Sequence, residues 1–480
     1  MRIRRYIFLL FTVFSILVIS CEQATAPTRV NDDHIPHKTN ELERVLRDGK
    51  LKTVVDYNST NYFVYRGRPM GFQYELLKAL AKDMGVTLEI NVRNNLEETF
   101  NDLNAGRVDL VAKNLTITKE RNQIVAFTYP LGQTRQVLVQ RKPENWRQMT
   151  QEEIDQHLIR NQLDLAGKTI YVQKNTAYAE RMRSLSDEIG AEINLKEDSV
   201  YGVEQLVAMV AEGKIDYTVC DENVGKVNQG YYPNLDVETP VSFPQYLAWA
   251  VRKDAPSLKK YIDKWIMNFR KTDDYKRLYN KYFRNPRTPS IAQSSYHSIN
   301  GNRLSDYDSI IKADSRIINW DWRLVASVIY QESRFDPHAE SWAGAVGLMQ
   351  LMPETAEWFN VDDMMDPKQN IYGGTQMLSW LDNYFSDDIP DKTERFKFVL
   401  AAYNVGLGHV LDARRLARKY GKDPNIWDGN VDYFLLHKSA AKYYKDPIVK
   451  WGYCRGEEPY NYVKEVWERY LHYRNLVKAS

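Results

Sequence analysis

From Glu41 to about residue 285, short β-rich runs alternate with stretches whose apolar residues recur at helical spacing. LKTVVDY at 51–57, TLEINV at 87–92 and VDLVAKNLT at 108–116 read as strands, and YELLKALAKDMG at 74–85 reads as a helix. The alternation resumes from about residue 140 to 240 with KTIYVQ, YAERMRSLSDEIG, EINLKE, VEQLVAMVAEG and IDYTVCD. YLAWAVR at 246–252 is a further strand, and helical text closes the region. This pattern predicts two similar α/β lobes with buried strands, lobe 1 from about 41–135 and 246–285 and lobe 2 from about 136–245. Residues 286–302 hold serines and prolines without a period and read as a linker. Beyond them, WRLVASVIYQES, YGGTQMLSWLDNYF, ERFKFVLAAYNV, LDARRLARKYG and YNYVKEVWERYLHYRNLV predict a mainly α domain over 303–480.

Length agrees with this modular reading, because 480 residues exceed what one hydrophobic core usually organises. A formal charge of +2 and 12% aromatic residues exclude both an electrostatic nucleic-acid binder and a disordered chain. The first twenty residues stand apart. Arg2, Arg4 and Arg5 precede an apolar run from Tyr6 to Ser20, shorter than the roughly 20 residues a membrane span needs, so 1–20 reads as a signal peptide. The run ends Val18-Ile19-Ser20-Cys21, which resembles a bacterial lipoprotein box, and that resemblance implies lipidation of Cys21. Residues 21–40 are then a polar tether, and loss of the leader brings the formal charge to −1 by the same count. The remaining cysteines, Cys220 and Cys454, fall in different predicted domains and read as buried thiols rather than a disulfide. No Cys/His spacing suits a metal, and neither metal nor cofactor is predicted.

In the C-terminal domain, Glu332 ends a helix whose preceding turns are apolar, and the small-residue run SWAGAVGLMQLMP follows it. A carboxyl held against apolar neighbours has a raised pKa, as a general acid needs near neutral pH. Gly344 and Gly347 would let backbone approach a bulky ligand. From the residues alone, a glutamate at a helix end is more often solvated or capping.

The run Glu332-Ser333-Arg334-Phe335-Asp336-Pro337, with Ala339, Ser341, Gly344-Ala345, Gly347-Leu348-Met349-Gln350, Pro353 and Thr355-Ala356, closely resembles the first signature of the soluble-lytic-transglycosylase family. The second motif stands at Ala401 to Gly408 and the third at Arg455-Gly456-Glu457-Glu458 leading to Tyr462-Val463. The resemblance implies a lysozyme-like (goose-type) α domain. It also implies cleavage of the β-1,4 bond between N-acetylmuramic acid and N-acetylglucosamine, with formation of 1,6-anhydro ends. Glu332 would serve as both acid and base. Ser341 would bond near the muramoyl N-acetyl group, Met349 and Gln350 would line the sugar cleft, Tyr403, Asn404 and Glu458 would contact glycan, and Tyr462 would orient Glu332. The competing roles are a turn or cap for Ser341, Asn404 and Glu458, and core packing for Met349. Asp336, before Pro337, reads as a turn residue rather than a second catalytic carboxylate.

In the N-terminal region, Gly71-Phe72, Glu75-Leu76, Gly106, Asp109-Leu110 and Asn114 to Arg121 resemble the periplasmic amino-acid-binding proteins. That family implies a cleft between lobes in which Arg121 clamps an α-carboxylate, Thr116 and Thr176 add hydroxyl contacts, and Asp221 holds the α-ammonium. Asn114 stands where the family usually has a small hydroxyl residue or glycine. The fold class expected is thus multidomain: an α/β two-lobed periplasmic-binding-protein-like domain followed by the mainly α domain. The module order behind an export signal resembles the membrane-bound lytic transglycosylases. The expected partners are peptidoglycan glycan strands, an amino acid or small cell-wall peptide that regulates cleavage, and the outer membrane through the lipid anchor, with no nucleic acid. Two other readings compete: a wall-tethered receptor that holds glycan without cutting it, and a hydrolytic lysozyme.

Overall fold

The structure, a computed structural model, describes residues 40–479 except 94, 286–290, 292–293 and 299–302. The expected signal peptide, Cys21 and most of the tether lie outside the described residues. In the first sheet the strand order is Thr87–Val92, Lys50–Val55, Leu110–Thr116, Gln245–Val251 and Ala126–Phe127. Lys50–Val55 pairs in parallel with both neighbours, whereas Gln245–Val251 enters antiparallel, because it belongs to a chain returning from the other lobe. The second sheet runs Asn194–Asp198, Thr169–Gln173, Tyr217–Asp221, Gln136–Arg141 and Leu235–Pro240. The chain crosses between lobes twice, at residues 134–136 and 240–245. The central strands carry Val54, Val55, Val111, Ala112 and Trp249 without exposure, as sheets covered on both faces require.

The helical part is built around Trp322–Ser333, in which every residue from Trp322 to Ile329 is buried. A helix apolar on all sides must be wrapped. Asp308–Ile317 and Glu457–Leu476 pack on it, Lys392–Val405 packs on Glu457–Leu476, and Pro367–Ser386 and Leu407–Lys419 pack on Lys392–Val405. Asp321 caps the start of Trp322–Ser333 by accepting from the Arg323 N–H at 3.0 Å.

One element escapes the periodicity. Phe63–Tyr65 and Arg68–Met70 pair as a short hairpin, and residues 296–298 bind along it: Val64 N–H donates to Ser298 Oγ and Ser298 N–H to Val64 O, both at 2.9 Å. The tip, Arg66 and Gly67, has positive φ (47° and 73°) and inserts into the helical domain. A Cβ on Gly67 would lie 2.7 Å from both Phe335 and Tyr330 and 2.8 Å from the Tyr473 hydroxyl. That hydroxyl donates to Gly67 O at 2.6 Å. Nearby, Tyr62 bonds His472, and the Asn475 amide donates to Ile90 O at 2.9 Å. One apolar core therefore spans lobe 1 and the helical domain, a second, around Val111 and Phe127, lies within lobe 1, and lobe 2 has cores of its own. Gly67→Ala is expected to cost roughly 2–3 kcal/mol, from left-handed backbone strain and overpacking together. Urea unfolding of the full chain checks this, and an unchanged midpoint contradicts the wedge.

Candidate active site and ligand cleft

Glu332 occupies the last turn of Trp322–Ser333, where the helix meets the surface and leaves the residue half-buried. The chain then leaves through two successive non-glycine residues at positive φ, Arg334 (54°) and Phe335 (66°). Each conformation costs on the order of 1 kcal/mol, strain of a kind concentrated at functional sites. The Tyr462 hydroxyl, from the second turn of Glu457–Leu476, donates to Glu332 Oε1. Burial raises the Glu332 carboxyl to about 7 and the tyrosine bond offsets only part of that rise. The group is thus near half-protonated at neutral pH, where a general acid works best. Burial, with the Glu332 charge beside them, holds the Tyr403 and Tyr462 hydroxyls well above their ordinary value, so both remain donors.

The small-residue run folds over this end of the helix. Bridges join Glu340 to Val346 and Val346 to Leu351. Ser341 Oγ accepts from the Ala345 N–H at 3.0 Å, so its hydroxyl shapes the loop tip. Gln350, at φ 49°, donates its side-chain amide to Ala339 O and Gly347 O, both at 2.9 Å. Met349 departs from expectation. Its side chain has no exposure and presses on Gly374, where a Cβ would lie 2.3 Å from the sulfur, so it supports the cleft from beneath instead of lining it. Gly347 departs too: a Cβ there would meet Asn370 and Met364 O at 2.3 Å, so the glycine admits the protein's own chain and not a ligand. Asn370, which the motifs do not single out, ties the loop down by accepting from Met349 N–H (2.7 Å) and donating to Val346 O (3.0 Å) and Met364 O (2.7 Å).

Tyr403 donates to Met349 O at 2.7 Å and fastens Lys392–Val405 to this loop, with half-exposed Asn404 next to it. Glu458 is exposed in the first turn of Glu457–Leu476, one turn before Tyr462. Asp336 is exposed and accepts from the His338 N–H at 2.9 Å, a turn-capping geometry. Cys220 and Cys454 are both buried.

Between the lobes lies a cavity of about 180 Å³, below the roughly 300–1,000 Å³ of pockets for drug-sized molecules. Asn114, Thr116 and Arg121 from lobe 1 and Thr176 and Asp221 from lobe 2 all line it. Arg121 is buried at the start of Lys119–Ile124, donates to Thr116 O at 3.2 Å, and has its pKa lowered by burial. Asp221 ends the strand Tyr217–Asp221, and its Oδ1 has no hydrogen-bond partner among the described residues. Burial, with the charge of Asp56 and against the Tyr178 hydroxyl and the charge of Arg121, raises Asp221 to about 7. Thr176 donates its hydroxyl to Gln173 O at 2.6 Å, and Asn114 is held between the amides of Gln73 and Asn61.

Two carboxylates and an amine of the cleft were not anticipated: Asp56, Glu204 and Lys113. Lys113 alone left a trace, as a cation inside the largely buried strand Leu110–Thr116. It donates to Thr99 Oγ1 at 3.0 Å and to Arg93 O, and burial lowers it to about 8. Glu204, on lobe 2, accepts from the N–H (2.8 Å) and the hydroxyl (2.5 Å) of Ser59 on lobe 1, a direct bond across the cleft.

Residues 50–285 match the bacterial extracellular solute-binding proteins, family 3, and residues 309–426 match the transglycosylase SLT domain. A membrane-bound lytic murein transglycosylase F of Desulfosudis oleivorans is 34% identical over 92% of this chain and 92% of its own. One from Pseudomonas fluorescens is 34% identical over 90% and 86%. Among solved structures, an ancestral amino acid-binding protein, a precursor of cyclohexadienyl dehydratase, is similar at 23% identity and a TM-score of 0.43, covering 50% of this chain and 99% of that one.

Proposed function

Because this chain belongs to the membrane-bound lytic murein transglycosylase F family, we propose that it cuts the β-1,4 bond between N-acetylmuramic acid and N-acetylglucosamine and leaves 1,6-anhydromuramic ends. The observation that carries this reading is the isolation of Glu332. Its carboxyl is raised by burial and touched by the Tyr462 hydroxyl, and among the described residues no second carboxylate weighs on its ionisation. A retaining hydrolase places two carboxyls about 5–5.5 Å apart, and their repulsion would weigh on each other's ionisation. In the proposed reaction, protonated Glu332 gives its proton to the glycosidic oxygen as the bond to C1 breaks. The resulting carboxylate then accepts the proton of the C6 hydroxyl as O6 closes on C1. The muramoyl acetamido group supplies the assistance that a second carboxylate gives elsewhere. Tyr462 orients the acid, Ser341 and Gln350 hold the loop near the acetamido group, and Tyr403, Asn404 and Glu458 line the glycan path.

The N-terminal cleft binds a free amino acid or the end of a small cell-wall peptide, with Arg121 on the carboxylate, Asp221 on the ammonium, and Thr116, Thr176 and Asn114 around them. The partnerless Asp221 Oδ1 supports this assignment. Lipidated Cys21 anchors the protein at the periplasmic side of the outer membrane. Ligand binding changes cleavage through the 63–70 hairpin, because Gly67 touches Tyr330 and Phe335, which flank Glu332 in sequence. Digestion of purified sacculi followed by mass analysis tests the activity and the regulation together. Products lighter by one water than hydrolytic ends, released at a rate that changes as amino acids or muropeptides are added, are expected. Reducing ends indicate hydrolysis, no release indicates a receptor, and a constant rate despite measured binding removes the regulatory role.

A further inference from the structure

The helical domain holds a buried ion pair that takes no part in the proposed cleavage. Lys438 and Asp412 are both fully buried, with Nζ 2.7 Å from Oδ2. Lys438 Nζ also lies 2.8 Å from His409 Nδ1. Asp412 accepts further from Arg415 at 2.5 Å and from the backbone N–H groups of Lys450 and Trp451, each at 2.8 Å. Taking two charges out of water opposes folding, so such a pair is better understood through what it positions than through net stability. Here it positions residues 450–451.

The Trp451 indole lies against Gly408, where a Cβ would sit 2.3 Å from Cδ2 and 2.4 Å from Cε2. Only a residue without a side chain permits that contact. The tryptophan is nonetheless 61% exposed, so the ring face away from Gly408 is open. Gly408 closes the second of the three transglycosylase motifs, the one that also holds Tyr403 and Asn404. Lys392–Val405 carries Tyr403 and Asn404 in its last turn, Gly406 (φ 90°) bends the chain, and Gly408 stands in the first turn of Leu407–Lys419. On its other side, residue 451 leads within a few residues to Glu457–Leu476 with Glu458 and Tyr462. Trp451 thus packs on the motif that holds Tyr403 and Asn404 and stands a few residues before the helix that bears Glu458, with exposed Tyr453 close by in sequence.

A pyranose ring presents one face of C–H groups ringed by hydroxyls, and an indole is a flat apolar surface with a polar edge. Resting on the glycan-cutting activity proposed above, we propose that Trp451 is a stacking platform for a sugar of the strand beyond the scissile bond, and that the Asp412–Lys438 pair holds its indole on Gly408. The platform is a binding residue and acts mainly on KM.

Steady-state cleavage of glycan strands of graded length by the full chain tests this. Trp451→Ala is expected to raise KM on long strands on the order of tenfold to a hundredfold, with most of the loss in KM and not kcat. The loss shrinks as the strand shortens, and Trp451→Phe recovers most of it. Equal KM on long strands for the wild type and a folded Trp451→Ala overturns the platform. If Trp451→Ala does not fold, acrylamide quenching decides, comparing Glu332→Gln with Glu332→Gln/Trp451→Phe. Protection of the Trp451 emission by long strands supports the platform, and identical quenching with and without strands overturns it. A wild type that releases no anhydro ends refutes the activity itself, which separates that failure from the failure of the platform.

Discussion

Glu332→Gln is expected to lower glycan cleavage by about three orders of magnitude, within the 10²–10⁴ range that general acid–base groups supply, while leaving the fold intact. Glutamine keeps the shape of the side chain and can still accept from Tyr462, so the variant removes the proton and little else. A second consequence follows from the same group. Its carboxyl rises from 4.5 to about 7 on folding, so its contribution to stability is fully present below about 4.5 and is lost as pH rises through about 7. Above that pH the wild type carries a buried charge that the variant lacks. Glu332→Gln is therefore expected to be the more stable protein at pH 8, by up to about 3 kcal/mol, and to gain nothing at pH 4. Wild-type rates in the variant refute the assigned acid, and equal melting temperatures at pH 8 refute the raised carboxyl.

Arg121→Met is expected to weaken amino-acid binding by about a hundredfold or more. The guanidinium is buried in the cleft, and removing one partner of a buried charge pair costs roughly 3–5 kcal/mol. Binding is also expected to depend on pH through Asp221. Below about 7 its carboxyl is protonated in the free cleft and must ionise to hold an ammonium group. The dissociation constant therefore rises about tenfold for each unit below 7 and flattens above it. Calorimetric titration with amino acids measures both effects. Unchanged affinity in the variant removes Arg121 from the site, and a flat profile from pH 5 to 8 removes Asp221.

The long regular elements were legible because their apolar spacing is set by burial. YELLKALAKDMG and WRLVASVIYQES become helices, and the strands around Val54, Ile90 and Val111 lie where β-rich text placed them. The 63–70 hairpin was not legible, since strands of three residues, one of them holding Pro69, are too short to show a period. In the cleft, the motif positions Asn114, Thr116, Arg121, Thr176 and Asp221 converge, but Asp56 and Glu204 do not belong to those motifs and meet only through the closure of two lobes. Met349 lies inside a motif, yet its place beneath the loop depends on Gly374, a contact that chain order does not reveal.

Because one core joins the hairpin strands to Tyr473 and Tyr462, lobe 1 and the helical domain are expected to unfold as one cooperative unit. Lobe 2, with cores of its own, is expected to unfold separately. The seam along which this chain comes apart is therefore the pair of crossings at 134–136 and 240–245, inside the ligand-binding module. A helical domain severed from lobe 1 would bare Tyr330, Phe335 and Tyr473 to water, a sticky patch on a fragment that carries an otherwise complete set of catalytic motifs.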